Sequence, residues 1–366
     1  GLGFFEYFQL AEDIGAEPLP ILKCGMACQF NSAEVVPLDQ LEPYIQDALD
    51  LIEFANGPQV SKWGRIRAEM GHPEPFNMKY IGIGNEQWGA QYFERYALFE
   101  KAIKAKYPEI NIVSGVGPQP DDALFYSAVE ALKKFSPQLV DEHYYRPPQW
   151  FRDNAARYDN YDRSKYKIFA GEYAAQSVAT CSPDNKNNWD CALSEAAFMT
   201  GLERNADLVN MCSYAPLFAH VDGWQWTPDL IWYNNLTSYG TTNYQVQKLF
   251  STNKGTHLLS ILEAGKPLIG QEGLYASAVF DKTTNEIILK IVNTEAVSKT
   301  KNISIQTKKK IQAAAVKSVL KSADLNSMNT IEKPGEVVPV NQEFTIKGKN
   351  LTFTADPYSL TVLKIK

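Results

Sequence analysis

The feature that most constrains this chain is an alternation. Through roughly the first 250 residues, short apolar runs take turns with stretches of helical periodicity, in units of about 30 residues. The runs at 18–24, 79–84, 111–114, 139–143, 167–171 and 208–213 read as strands. The stretches at 4–14, 38–55, 92–106, 121–135, 148–158, 193–205 and 242–252 read as helices. A repeated strand–helix–strand unit forces parallel strands with right-handed crossovers. Beyond residue 258 the pattern becomes short alternating stretches separated by turn signals such as Asp281-Lys282-Thr283-Thr284-Asn285, which predicts an antiparallel β-sandwich. Composition shifts at the same place. All seven Trp lie at or before Trp232, and the later part is rich in Lys, with Lys308-Lys309-Lys310 expected as a solvated turn. The expected domains are therefore 1–257, an α/β unit with six strands, and 258–366, the β-sandwich.

Several function classes fall away on composition. A formal net charge of -6 offers no broad phosphate-binding surface, so no nucleic-acid partner is expected. No apolar run reaches about 18 residues, so no membrane span is expected. Five cysteines form no disulfide framework, although Cys181 and Cys191 flank one loop and either pair across it or stay free. Four scattered histidines and no HExxH motif argue against a metal, and no cofactor motif is present. The 44 aromatic residues, 7 Trp, 19 Tyr and 18 Phe, suit either a large aromatic core or the stacking of uncharged polar ligands.

Function in parallel α/β barrels sits where strands end. One run ends in Gly84-Asn85-Glu86-Gln87-Trp88, another in Gly171-Glu172-Tyr173, and a third between them in Asp141-Glu142-His143-Tyr144-Tyr145. Two Glu at matched strand ends, three strand steps apart, need partners or a task, because an isolated buried carboxylate costs several kcal/mol. The chemistry that uses two carboxylates is glycoside hydrolysis, in which one donates a proton to the leaving oxygen and the other attacks or activates water. Asn85 is placed to bind the hydroxyl beside the reacting carbon. Trp88, Tyr144, Tyr145, Trp150, Trp224 and Trp226 are candidates to stack on sugar faces.

At these residues the chain resembles glycoside hydrolase family 51, the α-L-arabinofuranosidases, within the clan of (β/α)8 retaining glycosidases. The segments that carry the resemblance are GLGFFEYFQLAEDIGAEPLPIL, CGMACQF, KYIGIGNEQWG, VDEHYYRPPQWF, IFAGEYAA and the terminal DPYSLTVLKIK, and together they span the chain. The resemblance implies a (β/α)8 TIM-type barrel with about six strands present, N-terminally truncated, because family members place a small sandwich segment and two barrel strands upstream. It implies Glu86 as acid/base, Glu172 as nucleophile, Asn85 on the sugar 2-hydroxyl, and either Tyr144 or Tyr145 orienting the nucleophile. Where members often carry a Gln that contacts the furanose, this chain reads Trp226-Thr227-Pro228-Asp229, which makes Asp229 the replacement. The implied activity is removal of terminal α-L-arabinofuranosyl groups from arabinan- or arabinoxylan-type plant polysaccharide, with no cofactor, no metal and oligomerisation left open. Such a substrate favours a secreted or periplasmic enzyme. The rival readings are an endo-acting β-glucanase or xylanase of the same clan and a non-catalytic carbohydrate-binding fragment.

Overall fold

A computed structural model describes residues 2–308 and 310–366. Lys309, in the middle of the lysine run, lies outside the described residues; Lys308 and Lys310 are exposed. The six expected strands form one sheet in chain order: β1 (Ile21–Leu22), β2 (Tyr80–Ile83), β3 (Asn111–Gly115), β4 (Leu139–Arg146), β5 (Lys167–Ala175) and β6 (Val209–Tyr214). From β1 to β4 the pairing is parallel, with Ile21 opposite Gly82, Ile81 opposite Ile112 and Val113 opposite Leu139. Ile81, Ile83, Ile112, Val113, Leu139 and Val140 are buried, as strands covered on both faces require. Gly82 lets the strands approach, since a Cβ there would lie 2.2 Å from Ile21 Cδ1.

Helices fill the intervals: α1 (Phe4–Asp13), α2 (Glu42–Asn56), α3 (Lys62–Glu69), α4 (Ala90–Lys106), α5 (Ala123–Ala131), α6 (Pro148–Asp153), α7 (Trp189–Arg204) and α8 (Thr242–Ser251). In α2 the buried stripe is Ile45, Ala48, Ile52 and Ala55; in α4 it includes Tyr92, Tyr96, Phe99 and Ile103. Both follow the three-and-four spacing of one helical face. Each fully buried large side chain of this kind contributes roughly 1.5–3 kcal/mol.

The structure departs from the sequence expectations in specific places. The run at 18–24 yields only the two-residue β1, because Pro18 and Pro20 lack the N–H a ladder needs. Helix α6 stops at Asp153, where the Asn154 side chain turns back and donates to the Trp150 carbonyl at 2.8 Å. Helix α7 begins four residues earlier than expected, capped by Asn188, whose side chain accepts the Cys191 N–H. Helix α3 was hidden by its polar composition and is started by the Ser61 cap on Gly64 N–H. Strands β4 and β5 run on to Arg146 and Ala175, so Glu172 stands within β5 rather than at its end.

The chain divides into two compact units, residues 1–143 with 163–170, and residues 144–162 with 171–366; the division cuts through β4 and β5. The second unit contains the parallel pair β7 (Phe218–His220) and β8 (Ile231–Tyr233), with β9 (Ser238–Gly240) antiparallel to β8. It then carries β10 (His257–Leu259), the short hairpin β11 (Leu262–Glu263) and β12 (Lys266–Pro267), then β13 (Leu274–Asp281), β14 (Glu286–Asn293), β15 (Lys299–Ser304), β16 (Ala314–Lys321), β17 (Val340–Thr345), β18 (Asn350–Ala355) and β19 (Ser359–Ile365). The order β10-β13-β14-β19-β16-β17 forms an antiparallel sheet, and β15 pairs with β18. In β18, Leu351, Phe353 and Ala355 alternate inward and join Leu289, Ile291, Leu363 and Ile365 in one apolar core. All five cysteines are free thiols; Cys191 is buried and Cys181 exposed. No helix among the described residues is long and apolar enough to cross a membrane.

Candidate active site

In the first unit the chain leaves β2 through Gly84, Asn85 and Glu86. Gly84 has φ +76° and Glu86 φ +55°. Left-handed backbone at a non-glycine residue is uncommon and concentrates at functional sites. At Gly84 a side chain is excluded twice, by the backbone and by space, since a Cβ would lie 2.8 Å from Tyr92 Cε2 and 2.9 Å from Gln87 Oε1. The turn is fastened from below. Gln87 Oε1 accepts the Asn85 N–H at 2.7 Å, and the Gln29 side chain accepts from Trp88 N–H and donates to Trp88 O. Trp88 lies tilted against Phe30, their centroids 4.9 Å apart. Asn85 is exposed and Glu86 partly buried.

Glu86 does not stand alone. His143 Nδ1 lies 2.8 Å from Glu86 Oε1, and His143 Nε2 lies 3.1 Å from Asp141 Oδ2. His143 is 2% exposed. Two ring nitrogens between two carboxyl groups require at least two protons shared among the three side chains. Sequence reasoning passed over His143 as one of four scattered histidines. The signal was present: Asp141, His143 and Tyr145 fall on one face of β4 by its period of two.

In the second unit Tyr145 donates its hydroxyl hydrogen bond to Glu172 Oε2 at 2.7 Å. Of the two candidate tyrosines, Tyr145 is therefore the one that holds Glu172. Tyr144 belongs to the opposite face of β4. It is fully buried, bonded through its hydroxyl to Tyr158 and stacked on Trp150 at 5.4 Å. The Tyr145 ring also meets Trp226, with centroids 5.1 Å apart. Trp226 Nε1 and Asp229 Oδ2 are buried polar atoms without a hydrogen-bond partner among the described residues. Burial pushes the Asp229 carboxyl up to about 7. Trp224 is part of a separate aromatic pair with Trp232.

A sheet with parallel strands that carries acidic side chains at and beyond its strands, followed by an antiparallel β domain, accommodates the chemistry of a barrel-type glycoside hydrolase. Comparison with known proteins specifies it. Residues 1–163 match the α-L-arabinofuranosidase 1 domain, and residues 171–359 match the α-L-arabinofuranosidase C-terminal domain. An extracellular exo-α-L-arabinofuranosidase of Streptomyces chartreusis is 47% identical over 281 residues, covering 75% of this chain and 33% of that protein. α-L-Arabinofuranosidase 2 of Arabidopsis thaliana is 35% identical over 369 residues, covering 99% of this chain and 51% of that one. Among solved structures, an arabinose-bound family 51 α-L-arabinofuranosidase superposes with a TM-score of 0.87 at 32% identity, covering 100% of this chain and 57% of its own. The chain belongs to the α-L-arabinofuranosidases of glycoside hydrolase family 51. It spans a third to about half the length of the curated relatives it matches here.

Proposed function

We propose that this chain carries the catalytic carboxylates of a retaining exo-α-L-arabinofuranosidase, with Glu86 as acid/base and Glu172 as nucleophile. What supports the division of roles is the unlike company of the two carboxyl groups. Glu86 meets an imidazole backed by Asp141, a group that both takes and returns protons. Glu172 accepts a hydrogen bond from the Tyr145 hydroxyl. One carboxyl group beside a proton-exchanging imidazole and another beside a hydroxyl donor suit the two different tasks of acid-plus-nucleophile chemistry.

The reaction runs in two displacements. Glu172 attacks the anomeric carbon while Glu86 protonates the departing oxygen, leaving a glycosyl ester on Glu172. His143 then holds Glu86 ready to accept a proton from water, which attacks the anomeric carbon as it loses that proton and releases the Glu172 carboxylate. With Glu86 protonated, its O–H donates to His143 Nδ1 and the ring N–H donates to Asp141, which satisfies all three groups with two protons. The reading requires carboxyl groups about 5 Å apart. Asn85 binds the 2-hydroxyl. Tyr145 steadies Glu172 and packs tilted against Trp226, and the Trp226 N–H and Asp229 oxygen, unpartnered among the described residues, serve sugar hydroxyls. Trp88 faces the departing group, two residues beyond the acid. Tyr144 supports β4 from behind. The substrate class is a terminal arabinofuranosyl side group of a plant polysaccharide.

Parallel assays of an aryl α-L-arabinofuranoside and an aryl β-cellobioside test this. Hydrolysis of the first and not the second is expected. Preference for the cellobioside assigns the endo-acting reading, and binding of arabino-oligosaccharide without turnover of either substrate assigns the carbohydrate-binding one.

A further inference from the structure

Behind the proposed nucleophile the second unit holds a carboxyl group the reaction does not use. Glu195, on α7, is fully buried. Its Oε1 accepts the Ala175 N–H at 2.7 Å and its Oε2 accepts from Asn243 Nδ2 at 2.9 Å. A buried carboxyl is expensive, and burial pushes this one up to about 8.

Its place in the sheet shows what the expense achieves. Ala175 ends β5, three residues beyond Glu172. Along a strand, backbone groups face a given neighbour at every second residue. On the β6 side, the Tyr173 carbonyl still accepts a rung from the Ala215 N–H at 3.2 Å. The next group on that side, the Ala175 N–H, lies past the end of β6 at Tyr214 and goes to Glu195 instead. The carboxyl thus takes the place of a backbone carbonyl on β6. It is itself held in place. Asn243 Oδ1 accepts from Asn187 Nδ2 at 3.0 Å, and the same Nδ2 donates to the Tyr214 hydroxyl at 3.0 Å. Thr242 Oγ1 donates to the Asn187 carbonyl at 2.7 Å. A satisfied buried network of this kind rigidifies what it touches.

We propose that Glu195 is a positioning residue: it replaces the last rung of β5 and so fixes the backbone that aims Glu172 at the anomeric carbon. The proposal rests on the reading of Glu172 as nucleophile. A displacement of about 1 Å at an attacking atom is enough to cost orders of magnitude in rate, so a shifted β5 end would show in the covalent step rather than in binding.

The test uses an epoxide-bearing cyclitol of arabinofuranose configuration, whose ring a nucleophilic carboxylate opens to form an ester while the released oxygen takes a proton from Glu86. Peptide mass spectrometry locates the ester. Two variants separate geometry from polarity. Glu195→Gln keeps an acceptor within reach of Ala175 while giving up the bond from Asn243, and Glu195→Asp withdraws the acceptor by one methylene. The expected result is labelling of Glu172 in the unmodified protein, a first-order labelling constant within about threefold of it for Glu195→Gln, and a loss of about tenfold or more for Glu195→Asp with inhibitor binding within about twofold. Rates are normalised to the folded fraction from melting curves. Amide exchange at Ala175 should rise about tenfold in Glu195→Asp and stay unchanged in Glu195→Gln. Labelling of Glu172 at the same rate in all three proteins, a loss confined to binding, or unchanged Ala175 exchange overturns the proposal. Labelling of the unmodified protein at another residue overturns the nucleophile assignment and the positioning role with it.

Discussion

Tyr145 and Tyr144 are chemically identical neighbours with opposite fates. One donates to Glu172; the other is sealed against Tyr158 and Trp150. Tyr145→Phe should lower kcat by about 10- to 100-fold, with little change in thermal midpoint, as expected for a lost hydrogen bond to the proposed nucleophile. Tyr144→Phe should leave kcat within about threefold and cost about 1 kcal/mol of stability, read by urea denaturation. The choice between them was legible in the strand's period of two, which places Tyr145 with His143 and Asp141, but only once the strand is known to continue to Arg146. Asp229 supplies a pH test. Its carboxyl sits at about 7 in the fold, against an ordinary value of 3.8. Below about pH 4 both states are protonated. As pH rises toward 7, the unfolded chain releases the proton and the folded one keeps it, so the stability the neutral group provides is lost across that window. Asp229→Asn should therefore match the unmodified protein near pH 4 and be more stable near pH 8, by about 1 kcal/mol or more, in parallel melts.

At the scale of elements, the turn after β2 is closely constrained. Gly84 and Glu86 both have positive φ, and three side chains, Tyr92, Gln87 and Cys24, close around the Gly84 Cα. Gly84→Ala should destabilise by about 1–3 kcal/mol, with activity falling further than stability because Glu86 rides on the same turn. Urea midpoints and kcat/KM measured on one preparation check both parts. The core strands β2, β3 and β4 were legible because their apolar runs are bounded and continuous. The hairpin region of β7 to β9 was not, since Phe218, Tyr233 and Leu236 are exposed and give no apolar period to read. Glu172 was found by its glycine neighbour and its spacing from Glu86, yet its place inside β5 was not, because Tyr173-Ala174-Ala175 fits strand, loop or helix equally in sequence. Glu195 was invisible for the opposite reason: an acidic residue in a helical stretch reads as solvated until the fold buries it.

For the whole molecule, the parallel sheet with its intervening helices and the antiparallel domain after it were both legible, because strand–helix alternation and short alternating strands are periodicities that composition cannot mask. What periodicity could not supply is the partnership of side chains far apart in sequence, such as Glu86 with His143 across 57 positions. The proposed reaction gives the two glutamates different jobs, and azide distinguishes them. Glu86→Ala retains Glu172, so turnover of an aryl α-L-arabinofuranoside should stall at the glycosyl ester and be restored by azide attacking that ester. Two inversions give an arabinosyl azide of α configuration, whereas azide acting in Glu172→Ala would invert once and give β. The measurement is the anomeric configuration of the azide product from Glu86→Ala by proton NMR: α is the predicted result, and a β product, or rescue confined to Glu172→Ala, would contradict the assignment.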